Sequence, residues 1–404
     1  MSDNPVETSK NAFTPRTELW REPYRAFFGF GSLYALGFFV LWGLQLRAWA
    51  LGVDPPAPGL GIAQHAHIVI WGIVGAYVFG FALTAYPKQN DGPSLPKRLL
   101  QGLWALFVTA QAGLVAAWIF GFGSLLTPAL LLETAAYVLL FSYLAPMGIR
   151  QIGQRLWVQA LGVLVALATG IIALVLHGFG PPTLQWAAVH LALWNYLLFL
   201  IASFVYRLLP FFTSRVCDYE MNRGRFFLPV LWVLLLAKTL VVPAGSELAS
   251  RAIDAAAFAW CFAEWVRYAP GLGVRVPMVS VLHLGWCWVM GALALGAINP
   301  GILQIHMLTV GGVVGFLMAI STRVSLGHGG RPIVLGKAAI AAIVLVQFAT
   351  LARVLAPTLL PDVNAYQLYH VSAHLLALAF LIWVIRFGPI LVLAKIPPKK
   401  ECPV

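Results

Sequence analysis

Apolar residues fall in runs of about 18 to 25 positions, separated by short polar connections, from Phe27 almost to the C-terminus. A run of that length is what a helix needs to cross a ~30 Å hydrocarbon core. Lipid offers no partner to open backbone groups, so such runs predict helices. Twelve are predicted: Phe27 to Trp49, Ile62 to Tyr86, Leu99 to Phe120, Pro128 to Met147, Trp157 to Leu176, Trp186 to Tyr206, Phe227 to Val242, Leu248 to Tyr268, Pro277 to Ala297, Ile302 to Ser321, Leu335 to Leu355 and Tyr366 to Gly388. The expectation is an all-α polytopic membrane protein of about twelve transmembrane helices. Residues 27–388 form its single membrane domain, flanked by a polar tail at 1–26 and a basic tail at 389–404.

Composition agrees with the pattern. The chain is 60% hydrophobic and 10% charged over 404 residues, far more apolar surface than a soluble core hides. The formal net charge of +12 raises the question of nucleic acid. The basic residues are spread over alternate connections, however, and that spacing reads as membrane orientation. Arg16, Arg21 and Arg25, then Lys88, Lys97 and Arg98, then Arg150 and Arg155, then Arg207, Arg215, Arg223 and Arg225 mark one side, and the series continues to Lys400. The connections between, such as 52–60 and 178–183, carry almost none. The positive-inside rule then places both termini in the cytoplasm. The polar start and long first run predict no cleavable signal peptide, and Cys217, Cys261, Cys287 and Cys402 lack ligand spacing and read as free thiols.

Candidate chemistry lies in the histidines. His67, His190 and His306 stand near the start of the second, sixth and tenth runs, and each run returns to polar residues about twenty positions later, at Pro87, Arg207 to Pro210 and Arg323. A period of four helices repeated three times predicts a pseudo-threefold bundle. The three runs share one direction, so their histidines share one depth, in the outer leaflet. His65, His370 and His374 fall at the same level, His177 is expected in an outer loop, and His283 and His328 fall on the inner half. Imidazole in hydrocarbon is costly and marks function, most often a metal or heme site.

Spacing limits what each pair can do. His370 and His374 are four apart, on one helix face, and can share an ion. His65 and His67 are two apart, about 200° around a helix, and suit two centres on opposite sides. Imidazoles in apolar surroundings favour heme or copper over hard cations; zinc is not excluded by residue type. No C-x-x-C-H is present, so a heme would be noncovalent. Arg47 is placed to pair with heme propionates, and Trp49, Trp71, Trp186 and Trp194 to pack on a porphyrin or the interface. Glu133, two turns into the fourth run, is a candidate proton relay or a partner for Lys238.

Several segments together resemble one family. They are His65-Ala66-His67 with Gly72 and Phe79 to Pro87, Arg207 to Thr213 (RLLPFFT), Leu282 to Trp286 (LHLGW) and, most specifically, Thr322 to Pro332 (TRVSLGHGGRP). They resemble the NnrS family. That resemblance covers nearly the whole chain and implies a polytopic bacterial inner-membrane protein that carries heme and copper, linked to nitric oxide stress and denitrification. The family's histidine positions match His65, His67, His283, His306 and His328, and its most specific segment contains Arg323 and Arg331. Two departures stand out. The family commonly has Glu directly after its H-A-H, where this chain has Ile68, and His370 and His374 are not part of the family pattern.

Three groups of four helices with histidines on the second, sixth and tenth are also reminiscent of heme-copper oxidases and nitric oxide reductases, a likeness at the level of fold alone. The resulting expectation has His65 and His67 on two b-type hemes and His190 completing bis-imidazole ligation of one. His306, His370 and His374 hold copper. Nitric oxide would bind at an open heme position and be reduced to N2O, with electrons from quinol or a redox protein. The rival readings are a non-catalytic nitric oxide-binding or metal-homeostasis protein, and a twelve-helix transporter.

Overall fold

A computed structural model describes residues 18–217, 222–268, 276–355 and 365–395. The extreme tails, Arg275 and Cys402 lie outside them. Twelve membrane-scale helices follow one another: α1 Pro23–Leu51, α2 Ile62–Gln89, α3 Lys97–Ile119, α4 Gly123–Ile149, α5 Trp157–Phe179, α6 Pro182–Ser214, α7 Phe227–Val241, α8 Glu247–Val266, α9 Pro277–Ile298, α10 Ile302–His328, α11 Lys337–Val354 and α12 Ala365–Val392. Ten are both long and apolar enough to span a bilayer; α7 is shorter, and α8 carries more polar residues. Among the described residues there are no strands. The protein is an all-α multi-pass membrane protein.

Local sequence sets the ends. Pro23 opens α1, where its missing N–H costs nothing, and Gly52 closes it in the left-handed region at φ 68°. Three helices outrun their apolar cores: α2 continues past Pro87, α6 past Pro210 and α10 to His328. Helical backbone bonding continues into polar sequence once water is available to the side chains. The same effect corrects one expectation. His177 lies in the last turn of α5 and is buried, not in an outer loop, because the helix stops only at Gly180 and Pro181.

The packing repeats in threes. Helix α4 packs on α5, α8 on α9, and α12 on α1, so the last helix closes the ring. Within each group the third and fourth helices pair: α3 with α4, α7 with α8, α11 with α12. The second helices, α2, α6 and α10, meet at the centre around an apolar cavity lined by Val74, Tyr77, Leu197, Phe204, Val313 and Phe316. Each central helix also switches to π-helical winding just after its histidine: Ile68–Ile73 after His67, Ala192–Leu198 after His190, and Met307–Val314 after His306. Such segments are uncommon and cluster at functional sites.

Candidate functional site

The N-terminal ends of the even helices and the C-terminal ends of the odd ones share one end of the bundle, and the histidine-rich sites lie there. One of them is a cleft with walls from α1, α2, α6, α10, α11 and α12. It encloses about 980 Å³ of space free of protein atoms, part of it open to the outside. His65 reaches it from α2. Its ring stacks on Trp42 at 4.2 Å between centroids and 16° between planes, and its Nδ1 is buried with no hydrogen-bond partner. From α10, His306 donates Nδ1–H to the Ile302 carbonyl at 2.8 Å, which fixes the tautomer and leaves Nε2 as an acceptor. That acceptor receives a hydrogen bond from Arg353 Nη2 at 2.8 Å. The Arg353 guanidinium, on α11, lies 3.8 Å over the Tyr369 ring, and its Nε has no partner. Trp49, Trp186 and Tyr366 complete the aromatic lining.

His67 faces the opposite side of α2 and is fully buried. Its Nε2 bonds Glu133 Oε2 at 2.7 Å and its Nδ1 meets Nδ1 of His177 at 3.2 Å. Gln111 donates to the other Glu133 oxygen at 2.7 Å, and the rings of Trp71 and Trp118 pack on the imidazole. With both rings neutral, one assignment satisfies these contacts: His67 donates from Nε2 and accepts at Nδ1 from His177. The His177 Nε2 is then an unpartnered acceptor. Glu133 is therefore tied to His67 and not to Lys238.

Lys238 belongs to a third cluster. It pairs with Asp254, which also accepts from Gln304 at 3.0 Å, and its ammonium lies 4.3 Å over Trp194. His190 is beside it, accepting at Nδ1 from Trp194 Nε1 at 3.2 Å, and lines a separate cleft with Lys238, Ser250 and Gln304. It does not face His65; the ring across the cleft from His65 is His306.

On α12, His370 and His374 are one turn apart with ring centroids at 5.8 Å, and His374 donates from Nδ1 to the His370 carbonyl at 2.7 Å. Arg47 on α1 is an electrostatic neighbour of His370. Gly43 allows the close approach: a Cβ there would stand 2.5 Å from the His374 ring. His306 is turned to Arg353 and Tyr369, and the three histidines expected to hold copper are not assembled. Among the described residues no three His, Cys, Asp or Glu side chains converge on a metal-sized site.

At the other end of the bundle both ring nitrogens of His283 are used, Nδ1 accepting from Trp265 at 3.2 Å and Nε2 bonding Thr213 at 3.0 Å. His328 pairs through Nδ1 with Glu22, and Lys88 pairs with the same carboxyl at 3.4 Å. Burial alone would raise the Glu22 carboxyl, but His328 and Lys88 together hold it below its ordinary range. Arg323 stacks 3.7 Å over Phe212, and Arg331 donates to the Gly329 carbonyl at 3.2 Å. These residues tie α1, α6 and α10 together.

The residues that sequence reasoning missed are Arg353, Gln111 and the buried role of His177. Arg353 left a signal, a lone cation near the end of an apolar run. Gln111 left little, since one amide in a long run has many structural uses.

A bundle of twelve helices in three groups, with imidazoles lining its interior at one end, defines a multi-pass membrane protein with a buried histidine site. The chain belongs to the NnrS family, whose model, described as NnrS protein, matches residues 18–395. No curated protein matches it. Family membership links the protein to the response to nitric oxide.

Proposed function

We infer that this is a heme protein of the bacterial inner membrane that binds nitric oxide in the His65–His306 cleft and reduces it to N2O. The observation that carries the reading is the presence of two imidazoles from α2 and α10 in one aromatic-walled cleft, one with an unpartnered Nδ1 and the other with its Nε2 lone pair directed inward. Metal-binding histidines commonly donate their remaining N–H to a carbonyl, as His306 does. The cleft has the make-up of cofactor pockets, aromatic and apolar walls with a few convergent polar groups. A heme held there would supply a redox-active iron able to take a diatomic ligand.

The chain supplies the surroundings. Trp42, Trp49, Trp186 and Tyr369 line the cleft and offer faces for a planar ligand. Glu133 and His67, on the far face of α2, hold a proton between Oε2 and Nε2. Reduction of two NO to N2O and water takes two protons and two electrons, the electrons coming from a quinol or redox protein. His67 has protein partners at both nitrogens and His190 at Nδ1, and only His370 and His374 pair for copper.

The visible spectrum of the purified protein tests the reading. A Soret band is expected, lost in His65→Ala and His306→Ala, kept in His67→Ala, and shifted by nitric oxide. N2O formation with an artificial reductant then separates turnover from binding. A protein that stays colourless when supplied with heme sinks the reading. A nitric oxide shift without N2O reduces it to a protective sink.

A further inference from the structure

The three groups of helices act as internal controls on one another. On the second helix of each stands a histidine before the π-helical segment: His67, His190 and His306. On the third helix, 44, 48 and 47 residues further on, stand Gln111, Lys238 and Arg353. On the fourth stand Glu133, Asp254 and, in the last group, Tyr369 with His370. In the first group Glu133 takes hydrogen bonds from both His67 and Gln111. In the second the Lys238 ammonium is met by Asp254. Among the described residues the third group has the cation without the acid.

Arg353 is buried, its Nε has no partner, and its guanidinium meets the His306 lone pair and the Tyr369 ring. Among the described residues no carboxylate pairs with it. A buried guanidinium is retained at a cost unless an anion meets it, and its planar fork matches a carboxylate. The anion has to come from outside the described chain, through the cleft that Arg353 lines.

We propose that Arg353 is the recognition residue for a carboxylate carried by an apolar ligand of the His65–His306 cleft. On the reading given above, on which this rests, the carboxylate is a heme propionate; a fatty acid from the bilayer carries the same chemistry. Arg353 occupies the Nε2 side of His306, so a metal held by that nitrogen would displace the guanidinium from the imidazole and leave it free for the carboxylate. Arg47, expected from sequence to serve propionates, lies by His370 instead.

The test is binding to purified full-length protein, wild type and Arg353→Gln, by absorbance or fluorescence quenching. The probes are hemin, hemin dimethyl ester, metal-free protoporphyrin IX, and cis-parinaric acid with its methyl ester. Wild type is expected to prefer each free acid that binds over its ester by tenfold or more, and to bind protoporphyrin tenfold more tightly than Arg353→Gln does. The Gln variant is expected to lose the preference, and Arg353→Lys to recover part of it. Hemin bound equally with and without its carboxylates, or a preference that survives in Arg353→Gln, overturns the proposal and leaves the heme reading standing. Discrimination for parinaric acid with no porphyrin binding keeps the proposal and overturns the heme reading. No Arg353-dependent binding of any probe overturns the proposal. Asp362 lies outside the described residues, in the segment joining α11 to α12, and Asp362→Asn is expected to leave affinities unchanged. A tenfold gain there would mean that the chain neutralises Arg353 itself, and would overturn the proposal.

Discussion

At the scale of single residues, the histidines differ by what their nitrogens already touch. His67 lies between Glu133 and His177, so Glu133→Ala leaves His67 and Gln111 buried without their acceptor. A loss of about 3–5 kcal/mol is expected from breaking a buried pair of this kind, with Glu133→Gln milder. Thermal unfolding in detergent measures it, and a loss within ~0.5 kcal/mol of zero would deny the pair a structural role. Glu22 gives a pH-dependent counterpart outside the membrane span. Its carboxyl is held below its ordinary value of 4.5, so the stability it adds is complete at neutral pH and fades as pH falls through the lowered value. The Tm deficit of Glu22→Gln should therefore be largest near pH 7 and vanish in strong acid. A deficit that grows on acidification would reverse the sign. Arg353 shows the limit of reading residues from sequence: one arginine near the end of α11 looks like an interfacial anchor until folding sets it against His306.

At the scale of elements, spacing gave faces but not neighbours. His65 and His67, two apart on α2, were legible as side chains of opposite faces; that one faces α10 and the other α4 and α5 depends on packing between distant helices. The π-helical segments were not legible, since nothing in IVIWGI, ALWNYLL or MLTVGGVV marks an extra residue per turn. Their effect is testable. Deleting Val310 from Met307–Val314 should restore α-winding with His306 on its original face, whereas deleting Thr309 and Val310 together should turn it by about 100° relative to the lower part of α10. Helix content by circular dichroism should stay near wild type in both, with the Soret band lost only in the double deletion. Retention of full heme in the double deletion would mean that the face of α10 does not aim the imidazole. The His177 correction has the same origin, because an apolar run that looks finished at Leu176 continues as helix until glycine and proline stop it.

For the whole molecule, the all-helical multi-pass class and the four-helix period could be read from apolar run lengths and from three histidines in phase. The ring of contacts, with α4 on α5, α8 on α9 and α12 on α1, agrees with that period. What pattern could not supply was the charge balance among the groups, which depends on which third-helix and fourth-helix residues meet. Orientation follows from the basic connections and predicts labelling. In a chain whose native cysteines are replaced, a membrane-impermeant thiol reagent added to intact spheroplasts should modify Asp54→Cys and leave Gln154→Cys untouched. The reverse pattern would invert the topology.

The close seam between α1 and α12 also sets a timetable. Helix α1 has as its main partner α12, made eleven helices later, and Gly43 stays without the His374 ring until then. At roughly 5–20 residues per second, that wait is on the order of 15–60 s of synthesis. During it α1 must be held by lipid or by the insertion machinery, and the cleft that takes Arg353 and His306 has no wall on the α12 side. The cleft proposed to take heme is therefore complete only after the ring has closed.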